Sequence, residues 1–176
     1  MQARNMARCA LFAALLALCA WISFPAGDTA FTMQTFGIAL VLWLLEGKWG
    51  TLSIFVYLFL GIVGLPVFSG FQGGIGAILG ATGGYILGFL VWSLLYWLLT
   101  ALGPRTEIFR LIAMIAGLLC CYIFGSFWFY WLYLQGGNAI GLGFVFLKCV
   151  VPYLIPDTAK LTAAWFLARR LKRFVY

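Results

Sequence analysis

The chain contains no histidine and only 4 acidic residues among 176. Without imidazole a zinc site is implausible, because the five thiols that remain are not spaced as ligands. Cys9, Cys19, Cys120, Cys121 and Cys149 are odd in number and lie in apolar runs, and the adjacent Cys120-Cys121 is not a CxxC. They read as buried structural thiols. The glycine runs are never followed by the lysine that a P-loop requires, and no strand with a following acid frames a dinucleotide fingerprint. No aromatics interleave a basic face for base stacking, so nucleic acid is not a partner. No polar stretch is long enough to fold as a soluble domain. These absences leave no cofactor, no metal and no catalytic machinery: we expect no enzyme.

What is present is apolar. Hydrophobic residues make up 65% of the chain and aromatics 19%, against 9% charged, and the mean hydropathy is +1.09. The solvent for such a chain is a lipid bilayer, and its length is that of one domain. Arg4 and Arg8 followed by the apolar run Cys9–Phe24 resemble a signal peptide. That run is long for such a signal, so it is expected to stay as the first membrane helix.

Turn and charge signals divide residues 1–176 into six apolar segments, at about 7–24, 33–45, 49–64, 76–100, 110–134 and 143–171. The second and third are short for a span of about 20 residues, which suggests tilted or partial helices around a cavity. The last contains Pro152 and Pro156, which predict a break near 152–156. The expected fold is an all-α, multi-pass membrane protein of six transmembrane helices. An even number of crossings puts Arg4, Arg8, Lys48, Arg105, Arg110 and the cluster Arg169, Arg170, Lys172 and Arg173 on one side. The opposite connections, 25–32, 65–75 and 135–142, contain no Lys or Arg. The positive-inside rule then makes both termini cytoplasmic, in a cell membrane. Trp21, Trp128 and Trp131 would form an outer aromatic belt, and Trp43, Trp49, Trp92, Trp97 and Trp165 an inner one. Lys148 is expected to snorkel to the outer interface rather than face a cavity.

Gly76, Gly80, Gly84 and Gly88 recur every four residues and predict close helix packing. Gly73-Gly74 and Gly83-Gly84 fall outside that stripe and suggest bends or close approach to a ligand. On the first helix Ala10/Ala14 and Ala13/Ala17 form overlapping small-xxx-small pairs, suited to internal packing or to docking against another membrane protein.

One pair of charges stands apart, in Pro156-Asp157-Thr158-Ala159-Lys160. An ionisable residue in an apolar span costs several kcal/mol or more and usually marks a substrate or ion site. At i, i+3 the two side chains share a helix face. With Pro156 starting a helix, Asp157 would lie in its first turn, where the dipole favours a negative charge. The alternative is a salt bridge that only joins helices.

Four blocks in order are similar to one family. Phe31-Thr32-Met33-Gln34-Thr35-Phe36 opens the second segment and Gly64-Leu65-Pro66-Val67-Phe68 closes the third. Gly80-Ala81-Thr82-Gly83-Gly84-Tyr85 lies in the fourth, and Asp157 with Lys160 marks the last. Together they resemble the biotin-specific substrate-binding (S) components of energy-coupling-factor (ECF) transporters, the BioY family, over nearly the full length. The resemblance implies a six-helix S-component fold with a pocket opening outward. It implies biotin as ligand, and as partners a transmembrane ECF coupling subunit and cytosolic ATPases, although some members act without a dedicated module. It places Asp157 and Lys160 on biotin, with Gln72 as a looser amide contact and Gln34, Phe68, Thr82, Gly84 and Tyr85 from the matching blocks on the pocket wall. It also makes the Ala10, Ala13, Ala14 and Ala17 face the docking surface for a coupling subunit. The chain departs from the family at Ala81, where Pro is usual. An Arg that some members place near the ligand has no counterpart between Gly76 and Thr100. Chemistry agrees independently: a ureido ring offers two N–H donors and one carbonyl, which a carboxylate and an ammonium can meet. An S component for another vitamin, and less readily an intramembrane enzyme built on Asp157 and Lys160, are the competing readings.

Overall fold

A computed structural model of the chain describes residues 2–26, 29–137 and 141–175. Helix α1 (Gln2–Trp21) leads into a two-stranded ribbon, β1 (Ser23–Ala26) and β2 (Thr29–Thr32). The strands are antiparallel and pair Ser23 with Thr32 and Phe24 with Phe31. The connection 25–32 is therefore mostly ribbon. Its Gly27-Asp28 step, the kind of two-residue spacer that hairpins favour, lies outside the described residues.

The next element, α2 (Gln34–Val63), is continuous by hydrogen bonding but is two helices in space. Glu46 has φ 57° and ψ −173°, a conformation that costs a non-glycine residue about 1–3 kcal/mol. The chain reverses there. Gln34 and Tyr57 would be roughly 34 Å apart along a straight helix, yet Gln34 Nε2 donates to Tyr57 Oη at 2.8 Å. Gly50 lies so close to the first half that a methyl there would sit 3.3 Å from Leu42 Cα. The two halves form a helical hairpin.

α2 ends at Gly64, whose φ of 114° is closed to most side chains, and the Leu65 N–H returns to the Leu60 carbonyl at 3.1 Å. A short 3₁₀ turn at Ser69–Phe71 follows, then α3 (Ile75–Leu79) and α4 (Gly83–Leu102). The fourth apolar segment is thus not one helix from 76 to 100. It breaks at Gly80-Ala81-Thr82, where the Gly80 backbone is extended. The glycine stripe divides accordingly. Gly76 faces open space, while Gly84 abuts Trp128 and Gly88 abuts Cys121 of α5 (Glu107–Gln135). From α5, Gly117 and Gly125 receive Trp92 and Tyr85 in return, so glycines on both helices bring α4 and α5 together. Thr106 caps α5 by accepting from Phe109 N at 3.3 Å.

α6 (Leu142–Cys149) and α7 (Val151–Val175) meet at Val150 with a bend of 40°. The break comes before Pro152 rather than between the two prolines. Pro152 occupies the first turn of α7, where an N–H is not needed, and Pro156 lies inside the helix. Asp157 is therefore not a first-turn residue, and the expected dipole contribution to its charge is withdrawn. Positions 138–140 of the connection 135–142 lie outside the described residues.

α2 is the hub, packed on α1, α4 and α7, with α5 against α4. Trp43 and Trp92 belong to this core and not to an interfacial belt: Trp92 is fully buried over Gly117. Among the described residues four helices are long and apolar enough to cross a membrane, or five if α6 and α7 form one bent span. This count takes the α2 hairpin as a single element.

Candidate functional site

At the end of the helices where α1 runs into β1, the chain encloses a cavity of about 440 Å³. Its walls come from β1, β2, the first half of α2, the 3₁₀ turn with its flanks Phe68 and Gln72, α4, α5, α6 and α7. The fold holds these pieces by specific contacts. Trp21 Nε1 donates to the Pro66 carbonyl at 2.8 Å, and its ring meets Phe71 with centroids 5.0 Å apart. Tyr57 donates to the Val67 carbonyl at 3.1 Å and meets Phe68 edge-on. Gly73 packs so tightly under the Leu65 carbonyl that any Cβ there would lie 2.2 Å from its oxygen. The turn at 69–72 is thereby fixed over the opening. Phe31 of β2 stacks on Tyr153 of α7 at 4.4 Å and ties the ribbon to the opposite wall.

The cavity has a floor and a mouth. Asp157 is only 2% exposed, with Phe89 and Leu118 buried beside it, whereas Gly70 and Gln72 are exposed. The floor carries the charge. Asp157 Oδ1 accepts from Lys160 Nζ at 2.7 Å and Thr35 Oγ1 at 2.9 Å, and Oδ2 accepts from Tyr122 Oη at 2.5 Å. A carboxylate offers about four lone-pair positions, so Oδ2 keeps one free. Lys160 uses one of its three N–H groups on Asp157. The floor can thus present one strong acceptor and two charged donors side by side, against walls of Phe68, Ile86, Phe89 and Leu118.

Of the residues singled out from sequence, Asp157, Lys160, Gln34, Gln72, Phe68, Thr82 and Tyr85 all line this cavity. Gly84 does not: it is buried against the Trp128 side chain and serves the α4–α5 contact. Gln34 is largely committed within the protein, its amide nitrogen to Tyr57 and its oxygen to Thr32 Oγ1 at 3.0 Å. Tyr85 shares a hydrogen bond of 3.1 Å with Ser126. Lys148 lies outside the cavity, exposed, with its ammonium 5.8 Å from the Phe144 ring centre. The alanine pairs divide. Ala13 and Ala17 are buried in the packing of α1 and are unavailable to a partner, while Ala10 and Ala14 face outward.

Thr35 and Tyr122 were not anticipated. Thr35 stands beside Gln34 in a quoted block, but nothing in a single sequence pairs it with a residue 122 positions away. Tyr122, one of eight tyrosines, carries no local signal. Cys121 and Cys149, expected as buried thiols, are buried but also line the cavity.

Comparison with known proteins places this architecture. The BioY family profile matches residues 1–176. The chain belongs to the BioY family. It is 37% identical to the "Biotin transporter BioY" of Thermotoga maritima over 172 residues, 97% of this chain and 96% of that protein. It is likewise 37% identical to the "Probable biotin transporter BioY" of Pyrococcus horikoshii, covering 98% of each. The fold is that of a crystal structure described as the S-component for biotin from an ECF-type ABC transporter. The TM-score is 0.83 at 24% identity, covering 98% of this chain and 92% of that one. This is an all-helical, multi-pass membrane protein of the S-component fold, with one small ribbon added.

The donor arrangement around Asp157 has a measurable consequence for the empty protein. Lys160→Met removes the ammonium and leaves a buried carboxylate with two neutral donors. Breaking a buried pair from one side costs about 3–5 kcal/mol. The double variant Asp157→Asn/Lys160→Met should unfold at a higher temperature than Lys160→Met alone in detergent-solubilised thermal melts. Equal or lower stability of the double variant would mean that Lys160 is not what offsets the burial of Asp157.

Proposed function

We propose that this chain is the membrane subunit that captures biotin from outside the cell and passes it inward. The carrying observation is the floor of the cavity: one buried, pre-oriented carboxylate with a free acceptor position, beside a lysine with two free donors, under apolar walls. A ureido ring is the matching chemical object. Its N–H donates to Asp157, its carbonyl accepts from Lys160, and the thiophane ring and aliphatic chain lie against Phe68, Phe89 and Leu118. In this reading Gln72, Thr82 and Tyr85 are further wall contacts, and Gln34 acts mainly through Tyr57 and the 65–72 segment. The biotin transporter of Thermotoga maritima and the probable biotin transporter of Pyrococcus horikoshii, both 37% identical over nearly the whole length, support the same ligand. The protein itself catalyses no reaction; it binds, and the energy for transport comes from elsewhere.

The topology we infer has six crossings, counting the α2 hairpin as two and α6 with α7 as one bent span. Both termini are cytoplasmic and the cavity opens outward. The cation asymmetry of the connections supports this, as does the ion-pair cluster at the other end. There Arg110 meets Glu46 at 2.9 Å, and Lys172 lies 3.7 Å from the same carboxylate. The partners are a transmembrane coupling subunit and cytosolic ATPases of the ECF type. Their contact on this chain is the outward face of α1 at Ala10 and Ala14, where small side chains let another helix approach.

Four outcomes check this reading. Biotin should stabilise the purified protein by roughly 2.7 kcal/mol at a hundredfold excess over Kd, with no response to thiamine or riboflavin. Asp157→Asn should weaken biotin binding by about ten- to a hundredfold, the loss of one charged hydrogen bond. Unchanged affinity in that variant moves the site elsewhere. Replacing Ala10 and Ala14 by leucine should leave biotin binding intact and impair energy-dependent uptake; normal uptake with the coupling subunit present removes α1 as the docking face. A single cysteine at position 175, in a background without the native thiols, should be labelled only after the membrane is opened. Labelling from outside intact cells would overturn the topology.

A further inference from the structure

All eleven Lys and Arg residues of the chain lie within the described residues, and one of them, Lys160, lines the cavity. That one is already neutralised: its ammonium is 2.7 Å from Asp157 Oδ1 at the floor. Among the described residues the lining therefore carries no net charge and no second cation. The nearest candidate in sequence, Lys148, adjoins the wall residue Cys149 but is exposed on α6 over the Phe144 ring. Around the mouth the polar groups among the described residues are neutral: Ser23 and Thr32 from the ribbon, Ser69 from the 3₁₀ turn and Gln72 just after it. A ligand with its ureido ring on the floor points its carboxylate tail at this neutral, partly exposed rim, away from Lys160.

We propose that the tail end of the ligand is bound without an ion pair, so that the chain accepts biotinyl amides as well as free biotin. The inference rests on the reading of the cavity as a biotin pocket and adds to it the class of ligands admitted. The Ser23 and Ser69 hydroxyls and the Gln72 amide can donate to a carboxylate or to an amide carbonyl, and an amide NH₂ finds acceptors in the same groups. Exchanging the carboxylate for a carboxamide keeps shape and removes only charge, and at a rim open to water that charge is screened. An ion-paired carboxylate would behave otherwise: losing a charged hydrogen bond costs about ten- to a hundredfold in Kd. The exposed rim at Gly70 and Gln72 also lets a longer amide, such as biotinyl-lysine, run outward without displacing a buried group.

The test is titration calorimetry of the purified full chain with biotin and with biotinamide, in the parent and in Lys160→Met. The expected result is two Kd values within about fivefold of each other in the parent, with both ligands weakened by the same factor in Lys160→Met. A larger gap in the parent, or a Lys160→Met loss confined to biotin, means that the carboxylate sits on a cation, and overturns the proposal. Lys148→Gln should leave biotin affinity unchanged; a selective loss for biotin over biotinamide there would assign the tail to Lys148 and overturn it equally. If biotin fails to bind the parent protein at all, the pocket reading itself falls, an outcome distinct from binding biotin and refusing the amide.

Discussion

A carboxylate buried among helices is costly unless the protein pairs its charge and fills its lone pairs with donors. Asp157 meets that demand with three donors, and each comes from a different place: Thr35 on the first half of α2, Tyr122 on α5, and Lys160 one turn along its own helix. The bonds from Thr35 and Tyr122 locate α7 relative to the hub and to α5. The pocket floor is therefore also a structural joint. Binding and folding share this group, which is why removing a single partner is expected to disturb both.

The rest of the cavity is organised by where the backbone can turn. Close approach at Gly73, the left-handed Gly64 and the extended backbone at Gly80 allow a compact segment between α2 and α4, and Trp21 and Tyr57 pin it by bonding to the carbonyls of Pro66 and Val67. Mouth and floor then differ in kind. The floor is charged and buried; the mouth, among the described residues, is neutral and partly exposed. Orientation of a ligand follows from that gradient, since the end with the stronger hydrogen-bonding demand is driven to the charged end.

Much of this was legible in the sequence. Helical class, the apolar segments and the singular Asp157–Lys160 pair follow from composition, turn signals and the cost of charge in lipid. What escaped was tertiary. Pro156 looked like a helix start because proline is favoured there, but the turn begun at Val151 carries through it. The glycine stripe looked uniform, although Gly80 lies at a break and only Gly84 and Gly88 face a neighbouring helix. Trp43 and Trp92 carry no mark separating a core indole from an interfacial one. Ala13 and Ala17 repeat the spacing of Ala10 and Ala14, and one residue spacing cannot say which side of α1 meets α2. Tyr122 and Thr35 acquire their roles only when distant segments meet.

The reversal at Glu46 matters for how such a molecule comes into being. Chains are made from the N-terminus onward, and the α2 hairpin is complete long before its counter-charges exist. Its strained turn carries a carboxylate whose partners, Arg110 and Lys172, are supplied by α5 and by the end of α7. Thr35 likewise waits 122 residues for Asp157. The nascent chain thus enters the membrane with donors and acceptors that stay unmatched until later helices arrive. α5 brings Arg110 to Glu46, but only α7 adds Lys172 at that end and Asp157 at the other, and a ribosome that stalls before it leaves a bundle with half a clamp and no binding site.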